Sequence, residues 1–75
     1  MDNKKIDNLL TLRDKNYSGL ARYLGRFRQS ISKTKTTGKW TGDDLIKIAE
    51  YTNTNLAYID KDGSIITVFD KNDLN

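Results

Sequence analysis

Apolar residues recur at helical spacing along most of the chain and then switch to alternation near the C-terminus. Ile6, Leu9, Leu10 and Arg13 follow the i, i+3, i+4, i+7 rule, which predicts a first helix over 4–14 with three apolar residues on its inner face. Asn16 falls just beyond its last turn, where Asn tolerates the left-handed conformation. A second helix is expected over 18–24, with the Ser18 hydroxyl as its N-cap and Leu20, Ala21 and Leu24 as its buried stripe. Gly25 ends it, because Gly reaches positive φ without a Cβ clash. A third helix over 28–36 has Ile31 as its only strong apolar residue, with Phe27 a turn earlier and Thr34 a turn later on the same side. The remaining Ser, Thr, Gln, Lys and Arg do not favour a helix by propensity. Packing of Phe27 and Ile31 beneath it is therefore expected to hold it, leaving most of its surface free. A loop over 37–42 carries two Gly, and a fourth helix follows over 43–51. Asp43 and Asp44 suit the positive end of its dipole, Leu45, Ile48 and Ala49 line its core side, and Ile46 flanks them. Asn53 reads as its stop, and Asn55 as the N-cap of a short fifth helix over 56–59.

The period then shortens to two. The runs 58–61 and 64–69 flank Asp62-Gly63, a hairpin signal that predicts a type I′ turn with positive φ at both central residues. Strict alternation puts Ile65, Thr67 and Phe69 on one face of the second strand and Ile66 and Val68 on the other. One face can cover the helical core, and the other needs a partner. The stretch 65–69 is accordingly a candidate homodimer edge. Residues 70–75 read as a frayed tail. The fold class expected is mostly α, five short helices with a C-terminal β-hairpin, in a single domain.

Size and composition narrow the chemistry. The chain has 75 residues with no Cys, His or Pro. There is no thiolate nucleophile, no disulfide frame, and neither the usual general base nor the commonest metal ligand. A domain of this length buries only roughly 60–65% of its unfolded surface, too little for a deep catalytic cavity. Asp43 and Asp44 read as a helix start, and Asp60 and Asp62 as turn residues, so no cofactor or metal site is expected. No apolar run approaches the roughly 18–20 residues of a membrane span. These features predict a cytoplasmic binding module, not an enzyme, with no membrane partner.

Charge sharpens this. The net charge of +3 divides into +7 over residues 1–41 and −4 over 42–75. Between Lys15 and Gly42 there are seven cations and no acid, the footprint of a partner rich in phosphate or carboxylate.

The step from the second to the third helix carries the functional signal. Ala21 sits where two helices cross closely, Gly25 turns four residues later, and Ile31 plugs the junction six residues after that. This is the spacing of a helix-turn-helix, here over about 17–36, in which one helix braces another across the major groove. Leu20-Ala21, Leu24-Gly25, Gln29-Ser30-Ile31, the Gly38-Lys39 loop and 45–49 resemble the lambda-repressor and Cro family of phage regulators over about residues 5–60. The chain is most similar to the small early lytic regulators of temperate phages, which include Cro-like repressors and the antirepressors called modulators of repression. Two positions depart from that pattern. Arg26 replaces a residue that is often apolar, so Phe27 is expected to take over part of its packing, and Thr52 replaces a usual Leu.

The resemblance implies a transcriptional regulator of the lysis–lysogeny switch. Its partner would be double-stranded operator DNA or the N-terminal domain of a CI-type lysogenic repressor. Groove chemistry assigns Arg28, Gln29, Ser32 and Lys33 to base edges, with Thr36 one turn further on. Arg22, Arg26, Lys35 and Lys39 are placed for phosphates, which set register. The same surface could mask an acidic patch on a repressor instead. Trp40 reads as packing.

Overall fold

The computed structural model describes residues 3–75, leaving Met1 and Asp2 outside. Four helices, α1 (Asn3–Leu12), α2 (Tyr17–Leu24), α3 (Arg28–Thr37) and α4 (Gly42–Tyr51), precede an antiparallel hairpin of β1 (Leu56–Ile59) and β2 (Ile65–Phe69). A short 3₁₀ turn, Lys71–Asp73, closes the chain.

One core holds the helices together. Ile6 and Leu10 from α1, Leu20 and Ala21 from α2, Ile31 from α3 and Ile48 from α4 meet in it, with Trp40 inserted from the loop. Trp40 is therefore a packing residue. On α4, Leu45 packs half-buried against this core as expected, whereas the flanking Ile46 is buried outside it, beside the hairpin. Thr52, in the position where Leu was expected, is buried at 1% exposure, yet its hydroxyl is satisfied. It donates to the Ile48 carbonyl at 2.8 Å and shares a 2.8 Å bond with the Thr54 hydroxyl. A buried polar group with partners costs little, whereas an orphaned one costs about 1–3 kcal/mol.

The helix ends follow local chemistry, with corrections. Asn16, not Ser18, caps α2: its side-chain oxygen accepts from Gly19 N at 2.8 Å, and the helix starts one residue earlier than expected. The left-handed stop after α1 is taken by Asp14, at φ 57°, which frees Asn16 for the cap. Gly25 takes φ 67° after α2, as its position required. At α4 a capping box forms: Thr41 Oγ1 accepts from Asp44 N at 3.0 Å, and Thr41 N donates to Asp44 Oδ2 at 3.2 Å. Asn53 takes φ 55° just past α4.

The largest departure is at 56–59. The expected fifth helix is strand β1, paired along its whole length with β2. Four residues cannot complete more than one helical turn, while the same four gain a full ladder partner. The turn is not type I′, since Asp62 does not adopt positive φ. Instead Gly63 N donates to the Asp60 carbonyl at 2.8 Å, with Gly63 alone at φ 95°. Ser64 N donates to the Asp62 carboxylate at 2.8 Å, and this bond holds that carboxyl below its ordinary pKa. The pairing Tyr58↔Thr67 followed by Ile59↔Ile65 reveals a bulge in β2. Ile65 thereby leaves the face of Thr67 and Phe69 and joins that of Val68. Neither face of β2 is fully covered. At the base Leu56, Ala57 and Phe69 are half-buried, and with Tyr58 they line a groove of about 350 Å³ against Gly42, Leu45 and Ile46 of α4. The tail is not frayed. Asp70 caps its turn by accepting from Asn72 N at 2.8 Å, and Asn75 N reaches Asp43 at 3.4 Å.

The capping box makes a direct test. Thr41→Ala should lower the unfolding free energy by about 1 kcal/mol in a denaturant titration, the usual loss for a Thr N-cap. A change below a few tenths would show that α4 does not depend on it.

Candidate nucleic-acid or repressor interface

Helices α2 and α3 meet through a three-residue turn, residues 25–27. Ala21 and Ile31 are each 2% exposed at their crossing. With Ile31 turned inward, the 100° step of a helix sends Arg28, Ser32 and Thr36 outward as one row, with Gln29 and Lys33 as the next. All five are exposed, so the five residues expected to face a partner share one outer surface. The Thr36 hydroxyl donates back to the Ser32 carbonyl at 2.8 Å, leaving its methyl and lone pairs to face outward.

The expected phosphate contacts divide into two groups. Arg22, late in α2, and Lys39, in the loop after α3, are exposed. Lys35 is half-buried, with its ammonium 4.3 Å from the centre of the Tyr17 ring. It borders a cleft of about 100 Å³ shared by Tyr17, Ser18, Arg28, Ile31 and Ser32. Two cations and three hydroxyls thus border a cleft between the start of α2 and α3.

Arg26 is committed internally. Its Nε and Nη2 donate to Ser30 Oγ at 3.1 and 2.8 Å, and Nη2 also donates to Thr34 Oγ1 at 2.7 Å. Its Nη1 lies 3.3 Å from Asp44 Oδ2, the oxygen that closes the capping box of α4. The planar fork of Arg serves three acceptors on two helices at once. Arg26 is therefore a brace between α3 and α4, and the polar Ser30 and Thr34 under α3 are its partners.

Phe27 does the opposite of what its sequence position suggested. It does not pack beneath α3 but is 82% exposed. As the extended N-cap residue, at φ −69° and ψ 151°, it precedes the helical register, and Arg26 already occupies the space beneath. Phe27, Arg28, Gln29 and Ser32 together line an open surface depression. Phe27 is the surface residue that sequence reading missed. The available signal was its place between the turn glycine and the helix, where a side chain owes nothing to the helical stripe.

Tyr17 ties three elements together. Its hydroxyl donates to Asp7 of α1 while its ring receives Lys35 of α3. Burial, then the hydrogen bond to Asp7 and its charge, push the Tyr17 phenol above its ordinary value. Among the described residues, no group of three or more acidic side chains gathers where it could hold a metal, and no helix is long and apolar enough to cross a membrane. The fold is mostly helical with a two-stranded hairpin, and α2 and α3 are joined by a three-residue turn. No family model, no curated protein and no solved structure matches the chain.

Two outcomes follow from this geometry. Arg26→Ala should cost about 1–2 kcal/mol by chemical denaturation, from charge-assisted bonds worth about 1.5–3 kcal/mol discounted for partial exposure. Arg26→Lys should recover only part of it, because an ammonium cannot reach all three acceptors; full recovery would refute the fork. For Tyr17, folding favours the neutral phenol. Its contribution is complete below the unfolded value of about 10 and is lost as pH rises above it through the folded value. In an alkaline absorbance titration, Tyr17→Phe should remove an ionisation step lying above about pH 10. Loss of a step at or below that pH would count against the Asp7 bond.

Proposed function

We propose that this chain is a small phage-type helix-turn-helix regulator of the lysis–lysogeny switch, working through the outer face of α3. The observation that carries this reading is the joint exposure of Arg28, Gln29, Ser32, Lys33 and Thr36 on one helical face inside an acid-free segment. Arg and Lys donate to guanine O6 and N7, Gln pairs with adenine, and a Thr methyl can meet the thymine methyl. Arg22, Lys39 and the Lys35 cleft flank this face with charges suited to phosphates. Operator DNA is the partner this set fits best. Acting there, the chain would oppose a lysogenic repressor by occupying its sites. No catalytic role is assigned to any residue, and the mechanism is occupancy of a surface.

Phe27 supports a second reading. A fully exposed phenyl ring beside Arg28 has no obvious use on a phosphate backbone, but aromatic residues and Arg are the enriched anchors of protein interfaces. An antirepressor of the modulator type would seat Phe27 in an apolar pocket of a CI-type repressor's N-terminal domain, with Arg28 and Lys33 against carboxylates.

One experiment separates the two. The pure protein is titrated against its promoter-region DNA at two salt concentrations, and separately against the repressor domain. For DNA binding, log affinity should fall with log salt at about 0.9 per phosphate contact; Arg22→Ala with Lys39→Ala should flatten that slope by up to about 2, while Arg28→Ala and Lys33→Ala should each weaken binding by about 1–3 kcal/mol and relax sequence preference. Phe27→Ala should leave the slope nearly unchanged. If DNA binding is absent at low salt while Phe27→Ala weakens repressor binding by tenfold or more, the antirepressor reading replaces the first. If neither ligand responds to the Arg28 and Lys33 substitutions, α3 is not the working surface.

A further inference from the structure

Among the described residues Phe27 is the most exposed of the large apolar side chains. Its backbone is extended at the N-cap of α3, and its side chain caps nothing. The ring lines one open depression with Arg28, Gln29 and Ser32, the first outward residues of the helix. It therefore shares a surface with the side chains suited to base edges. The charge around it narrows what can cover it. The segment from Lys15 to Gly42 contains no acid, so this surface is complementary to an anion-rich partner. On duplex DNA a recognition helix brings its N-terminal residues to the base edges of the major groove. Those edges are donors and acceptors, with one apolar group among them, the 5-methyl of thymine.

We infer that Phe27 is a specificity-determining residue that reads a thymine through its methyl group, beside the bases met by Arg28 and Gln29. This inference rests on the DNA reading of α3 and adds to it the recognition of one base. It gives the ring a use on DNA that the phosphate backbone does not offer. The contact is apolar, so it adds nothing to the salt dependence, which stays with Arg22 and Lys39. Its weight is that of one buried methyl, about fourfold in affinity. The methyl of Thr36 stands about two turns further along α3 and would meet a different base pair.

Deoxyuridine in place of thymine removes that methyl and leaves every hydrogen-bonding group of the base intact. A promoter-region duplex is prepared with thymine and, separately, with deoxyuridine throughout. Each is titrated at one low salt concentration with the native chain, Phe27→Ala and Phe27→Leu. The native chain should prefer the thymine duplex by about fourfold or more, and Phe27→Ala should reduce that preference by about fourfold. Phe27→Leu, still apolar, should keep part of it. Any effect of uracil on the duplex itself is common to all three proteins and cancels in the comparison. The ring is exposed, so its removal leaves no cavity, and the three proteins should share one unfolding midpoint. Equal binding of both duplexes by the native chain overturns the inference. A thymine preference that Phe27→Ala retains in full also overturns it and would belong to Thr36. An equal loss on both duplexes would put the ring against a sugar, which overturns it as well. Each of these results leaves DNA binding by α3 standing. No binding of either duplex at low salt overturns the DNA reading and this inference together.

Discussion

The attachment of α3 is the constraint on which the rest of the molecule turns. A helix that presents Arg28, Gln29, Ser32, Lys33 and Thr36 outward has little apolar surface left to bury. Ile31 supplies the apolar anchor, buried in the same core cluster as Ala21 of α2. Arg26 supplies the second attachment by a different physical means. Its guanidinium draws Ser30 and Thr34 of α3 toward Asp44 of α4, so positions that could not be apolar without altering the helix become cohesive through hydrogen bonds. A polar helix is thereby held on both sides of its narrow stripe.

That solution has a consequence for charge. Arg26 lies within the acid-free segment, yet its charge is neutralised locally by Asp44 and directed inward. The field presented to a partner thus comes from Arg22, Arg28, Lys33, Lys35 and Lys39, and Lys35 is steered by the Tyr17 ring toward the cleft at the start of α2. A formal count of cations along the sequence overstates the charge available at the surface. Asp44 has two roles through one oxygen, closing the α4 cap and receiving Arg26, so the position of α3 is coupled to the first turn of α4.

How much of this was legible in the sequence depended on the range of the deciding interaction. Helices α2 and α3 were readable because Gly25 and the Ala21–Ile31 spacing act within a few residues, and the outer face of α3 followed from the single inward Ile31. Asn16 was read as the left-handed stop of α1, but Asp14 takes that position, and Asn16 instead caps α2 in place of Ser18. The exchange of roles between Arg26 and Phe27 was not readable, because the acceptor that draws Arg26 inward lies 18 residues away at Asp44. Residues 56–59 carry too few positions to show a period, and only pairing with β2 decided their state. The bulge was invisible for the same reason: strict alternation is the default, and a single unpaired residue reverses the face of everything beyond it.

The two surfaces differ in chemistry. The α3 face is polar, charged and held by Ile31 and Arg26, so in the proposed DNA reading it would gain from electrostatic attraction and lose as salt rises. The hairpin leaves Ile59, Ile65 and Ile66 exposed and is remote from α3 in the chain. In the proposed DNA reading a helix-turn-helix reads one half-site per copy, so two copies would have to lie on neighbouring half-sites. The proposed repressor reading would need only one copy, since a single Phe27 with its basic neighbours could anchor a one-to-one complex. The two readings thus differ in how many copies must act together.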